Sequence, residues 1–186
     1  MMSKNLLIFL ALFSLTTTSC NKILFFVIGA EQPKYKTDEE VKLYAQKVFD
    51  YDGNIIRVKS FNEDSSSVPF GIKSMPTLML AENNCLNKFI TTCSADYSKI
   101  IDDYNTNFRY TKVDTTMVLN GIDEILYSIS GEEFSLDEPT FVIFYARFVG
   151  RLNKRDVLPW MDEIKAKTDF PILLVNLDYS EENTKH

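Results

Sequence analysis

Three cysteines and a single histidine bound the chemistry open to this chain of 186 residues. Thiol–disulfide exchange needs one thiolate to attack and a second thiol to resolve the mixed disulfide, and a helix start lowers the pKa of the attacking sulfur. Cys20, Cys85 and Cys93 include no pair in Cys-x-x-Cys spacing. The histidine is His186, the last residue, so general-base histidine, histidine metal sites and Ser/His or Cys/His pairs are not expected. No phosphate loop, zinc-ligand spacing or Asn-x-Ser/Thr acceptor occurs, and neither a metal nor a cofactor is expected. The acidic pairs Asp102-Asp103, Asp123-Glu124, Glu132-Glu133, Asp162-Glu163 and Glu181-Glu182 read as solvated turns and helix faces.

The elements that would position any site alternate between two periods. The run Ile23–Ile28 is short and rich in Phe, Ile and Val, as a buried strand is. Thr37-Asp38-Glu39-Glu40 spells a capping box. Val41, Tyr44, Ala45, Val48 and Phe49 then recur at helical spacing, with Gly53 as the stop. Asn54–Phe61 reads as a second strand. Pro76–Leu80 and Lys88–Thr92 read as a hairpin, with Leu80 set opposite Lys88, and Ser94 caps a helix carrying Tyr97, Ile100, Ile101 and Tyr104. Beyond a bridge at 110–122, the stretch 124–136 reads as a hairpin turning at Ser130-Gly131. Phe141–Tyr145 is a buried strand, and Asn153 caps a helix bearing Val157, Met161 and Ile164, with Trp160 packed beside them. Ile172–Leu177 closes a second βαβ plan.

The stretch GIKSMPTLML at 71–80 and the stretch FYARFVG at 144–150 together resemble thioredoxins and protein disulfide isomerases. In that family a strand ending in Phe-Tyr/Trp-Ala leads into the reactive cysteine turn, and a proline loop faces it. The resemblance implies an α/β, thioredoxin-like fold, a mixed sheet flanked by helices. It divides the chain into a complete domain over 22–109 and a partial second βαβ unit over 110–186. Phe148, Val149, Gly150, Arg151 and Leu152 occupy the turn, with Val149 and Leu152 at the cysteine positions and Pro159 near the helix proline, two residues late. ILLVNLD at 172–178 is similar to the family's next strand. Neither Val149 nor Leu152 can attack a disulfide, so no catalytic residue is expected there. The proline loop, Ser74, Met75, Pro76 and Thr77, retains a role that needs no thiol. A cis bond before Pro76 would expose the main chain of Met75 as a short edge for an extended polypeptide. The plainer alternative is that Pro76 only turns the chain into its strand.

An enzymatic alternative runs through Cys93 alone, by mixed disulfides. The expected hairpin register puts Cys85 roughly five residues from Cys93, or about 15 Å, whereas a disulfide needs Cα atoms within about 7 Å.

Residues 1–20, MMSKNLLIFLALFSLTTTSC, place Lys4 before an apolar run from Leu6 to Phe13 and small polar residues after it. That is a signal-peptide pattern, with cleavage expected after residue 19. Two alternatives remain: a lipoprotein acylated at Cys20, acting as a surface scaffold, and a membrane anchor over Leu6–Ala30. Each leads outside the cytoplasm, to the ER lumen, to secretion or to a membrane surface. The net charge of −6 argues against nucleic acid. The expected partner is a polypeptide or a folded protein. FVIFY and ILLVNL are apolar on both faces and need cover, which the first domain, a second copy in a homodimer, or the partner would supply.

Overall fold

The computed structural model describes residues 29–59, 70, 72, 74–89, 113–118, 125–136 and 138–180. The expected signal segment, Cys20, the strand at 23–28, Cys93 and the helix after Ser94 lie outside the described residues. So do Asp102-Asp103, Asp123-Glu124 and Glu181-Glu182.

The described chain is mixed α/β. In order it runs β1 (Tyr35–Lys36), α1 (Asp38–Phe49), β2 (Ile55–Val58), β3 (Thr77–Glu82), β4 (Cys85–Phe89), β5 (Val113–Val118), β6 (Leu126–Ser128), β7 (Thr140–Tyr145), α2 (Leu158–Lys167), β8 (Ile172–Asn176) and β9 (Tyr179–Ser180). Among these, seven strands form one sheet in the order β5-β4-β3-β7-β8-β2-β6, and β1 pairs with β9 in a separate parallel ribbon. β7, β8 and β2 are mutually parallel, and the rest of the large sheet is antiparallel.

This order corrects the expected division at 109/110. The strand after the proline loop, β3, pairs with β7 from beyond that boundary, Thr77 opposite Phe144 and Ala81 opposite Thr140. β2 likewise pairs with β8, Ile55 opposite Leu174. The two expected units are therefore interleaved in one sheet. The physical reason is the one that made the second unit look incomplete. Thr140–Tyr145 is buried at every residue and needs a ladder on both sides, which β3 and β8 of the same chain provide.

Alternating strand residues divide the core between the two faces of the sheet. On one face α1 (Val41, Ala45, Phe49) and α2 (Trp160, Met161, Ile164) cover Leu78, Leu80, Phe141, Ile143, Tyr145 and Leu174. On the other, Met79, Ala81, Val142, Phe144 and Val175 pack with Ile56, Leu86 and Leu177. Trp160 is core, as expected.

Several local expectations change. α1 ends at Asp50, which takes the left-handed conformation (φ 49°), and not at Gly53. Asn83 and Asn84, both at positive φ, make a two-residue turn, so Leu80 pairs with Asn87 and Glu82 with Cys85, one residue away from the expected register. The bridge at 110–122 contributes β5, which pairs with β4. The expected hairpin at 124–136 forms only its first arm. β6 joins the edge of β2, while 131–136 makes no strand. Among the described residues no helix is long and apolar enough to cross a membrane.

Candidate functional site

β3 and β7 are antiparallel, so the start of one lies beside the end of the other. The proline loop and the turn after β7 therefore share one end of the sheet. Ser74 is exposed, Met75 is half-buried, and Pro76 and Thr77 are buried. The Met75–Pro76 peptide is cis, as expected. Thr77 Oγ1 donates to the Ser74 carbonyl. The β3 ladder begins at Thr77, which leaves the main chain of Met75 outside it. Met75 and Phe148 both pack on the core cluster of this sheet face. All nine residues singled out in the two motifs thus gather at one place, although sequence reasoning assigned them to separate units.

The turn itself is held from several sides. Arg147–Val149 forms one 3-10 turn closed by Gly150, whose φ of 60° favours glycine. The main-chain N–H of Arg147 donates to both carboxylate oxygens of Asp178, at 3.0 and 3.1 Å. Asn176 Nδ2 donates to Asp178 Oδ2 at 2.9 Å. Asp178 is 4% exposed, and that burial raises its pKa above the ordinary 3.8, against the hydrogen bonds from Asn176 and Arg147 that lower it. With both oxygens bonded to N–H groups, Asp178 positions the turn and is not a free general base. Glu31 N–H donates to the Phe148 carbonyl at 2.7 Å, laying residues 29–32 along the turn.

A helical run starts at Arg151, widens to π geometry over Asn153–Val157 and continues as α2. Pro159 lies just past the wide segment, where its missing N–H would otherwise leave a gap in the ladder. Asn153 is not the cap its position predicts. It lies inside the helix, fully buried, and Nδ2 donates to the Ala146 carbonyl at 2.7 Å and to the Tyr44 hydroxyl at 2.9 Å. Sequence reasoning missed this clamp because a cap and an interior clamp use the same residue type near a helix start.

A cleft of about 660 Å³ opens between this helix start, the segment 29–36 and the exposed side of α1. Tyr44, Val48 and Phe148 supply apolar wall, and Asp178 lies at its base. Arg147 stacks over Tyr44, 5.3 Å from the ring centre. Its Nη1 contacts Glu40 Oε1 at 3.5 Å without forming a hydrogen bond. Glu40 also faces Lys36 at 3.4 Å and accepts from the Thr37 N–H, the bond that contributes most to lowering its pKa.

Among the described residues the one cysteine is Cys85, a free thiol. It pairs with Glu82, at the opposite end of β3 from the proline loop. No family model, characterised protein or solved structure matches this chain.

Proposed function

We propose that this chain is a redox-inactive, thioredoxin-like protein of the secretory route that holds a polypeptide or partner protein. The observation that carries the reading is the meeting of two distant motifs. Ser74–Thr77 and Phe148–Leu152 lie at one end of two paired strands, with Val149 and Leu152 in the places where the family resemblance calls for thiols. Supporting it, the Met75 main chain lies outside the β3 ladder and beside an exposed Ser74, so a short segment is open to pairing with an extended chain. The apolar surface of Met75 and Phe148 next to it provides side-chain contact. The signal-like residues 1–20 support an extracytoplasmic destination.

The test is site-directed photocrosslinking on the full chain. A photoreactive residue at Ser74 should capture a reduced, alkylated, unfolded polypeptide, whereas the same group at exposed Lys47 should not. Equal capture at both positions would reject the assignment. Reduction of insulin disulfides should stay at background. Activity abolished by Cys93→Ser would replace the binding reading with a single-cysteine oxidoreductase.

A further inference from the structure

Six cationic side chains surround the cleft beside α1: Lys34, Lys36, Arg147, Arg151, Lys154 and Arg155. They come from a chain with 20 Lys and Arg against 26 Asp and Glu, so this concentration runs against the overall charge. The carboxylates within the lining are Glu31 and Asp178. Asp178 is turned toward main-chain and amide N–H groups, and Glu31 meets Lys34 only loosely, at 3.8 Å between exposed side chains. Outside the lining, Glu40 is shared between Lys36 and Arg147, and Asp156 pairs with Arg155 at 2.7 Å. Lys154 has no ion-pair partner among the described residues. The cations outnumber the carboxylates that face them.

The local backbone sharpens this imbalance. Helix N-termini favour negative charge, because their first N–H groups are unpaired and the peptide dipoles align. Here Arg151, Lys154 and Arg155 occupy the first turns with Asp156 as the one acid, and Gly150, just before the run, has no side chain to cap it. Arg147 Nη1 is enclosed and makes no hydrogen bond. An anion in the cleft would meet the exposed cationic side chains and the helix start together. Tyr44, Val48 and Phe148 would hold an apolar portion, and the volume lies in the range of about 300–1,000 Å³ usual for small-molecule sites.

We propose that this cleft binds a small organic oxyanion carrying more than one negative charge, of the phosphate or polycarboxylate class. The proposal does not rest on polypeptide capture at Ser74–Thr77, although Phe148 borders both places, and each is tested without the other.

The test is titration of the full chain at fixed ionic strength with pyrophosphate and, separately, citrate, followed by amide NMR and calorimetry. Saturable binding is expected, with shifts at Gly150, Arg151 and Lys154. Arg151→Glu and Lys154→Glu, both at exposed positions, should each weaken it roughly tenfold or more, the scale of losing a charge-assisted contact. Lys47→Glu, on the last turn of α1, should change it less than about twofold, since a solvent-screened charge outside the site adds little. Binding of pyrophosphate alone assigns a phosphate ligand, and binding of citrate alone assigns a polycarboxylate. Absence of saturable binding of either probe overturns the proposal, as does an equal loss in Lys47→Glu, which would show a diffuse field in place of a site.

Discussion

The two helix starts among the described residues obey opposite rules. α1 opens with Thr37 accepting from Glu40 N–H at 3.2 Å while Glu40 reaches back to the Thr37 N–H at 3.1 Å, and its first turn is Asp38-Glu39-Glu40. Buried Arg57 anchors it, donating to Asp38 Oδ1 at 2.7 Å and to the Lys36 carbonyl at 2.9 Å. The run from Arg151 follows Gly150, which has no side chain to cap it, and its first turns carry Arg151, Lys154 and Arg155 with Asp156 as the one acid. It is held by Asp178 on the preceding turn and by the buried side chain of its own Asn153, which reaches back to Ala146. One start is complete in itself, and the other is stabilised by its surroundings while it gathers cations, of which Arg155 pairs with Asp156. A departure from local preference with firm support around it marks where the fold has been shaped for something other than stability.

The comparison breaks first at Arg57. Its guanidinium is 1% exposed and also donates to the carbonyls of Asp178 and Tyr179. Arg57→Met should cost about 3 kcal/mol in chemical denaturation, because it removes the cation paired with Asp38 and the donor to several carbonyls. A loss below about 1 kcal/mol would mean that α1 needs no anchor. On the other side, Asn153→Ala should cost about 2 kcal/mol by leaving the Ala146 carbonyl and Tyr44 hydroxyl without their donor. It should also move the NMR signals of 146–151, while those of 38–41 stay in place. Thr37→Ala should cost about 1 kcal/mol, the usual loss of a cap.

The smallest effect has the opposite sign and is the most discriminating. Lys154→Glu should stabilise the protein by about 0.3–0.5 kcal/mol, because an acid replaces a cation near the start of a helix. The same change should weaken oxyanion binding. Stability and affinity moving together would remove the contrast between the two starts.

The first start was legible in sequence because all its parts lie within four residues, and Thr-x-x-Glu is a local motif. The strands of the sheet centre were legible for a similar reason: Thr140–Tyr145 and Ile172–Asn176 are short apolar runs with no competing helical period. Their partners were not. Apolar runs state that both flanks must be paired without stating by what, and the family resemblance filled that gap with two separate units. The cleft was hidden for the same reason. Lys34 and Lys36 are more than a hundred positions from Arg147, Arg151, Lys154 and Arg155, and neither group forms a charge run long enough to signal a patch. The bond from Glu31 to Phe148 and the ribbon of β1 with β9 bring them together.

The interleaved sheet also governs how the chain can assemble. β2 is made early, yet its parallel neighbour β8 begins at Ile172, so the ladder must close a loop of more than a hundred residues. Closing so distant a pairing has an entropic cost that local contacts do not offset in advance. A chain made N-terminus first would hold β2 and β3 without their central neighbours until β7 and β8 had been made. During that interval the hairpin of β3 and β4 would show bare apolar edges to whatever else is passing. Arrival of β7 and β8, and not of the first eighty-nine residues, is then the step that covers those edges.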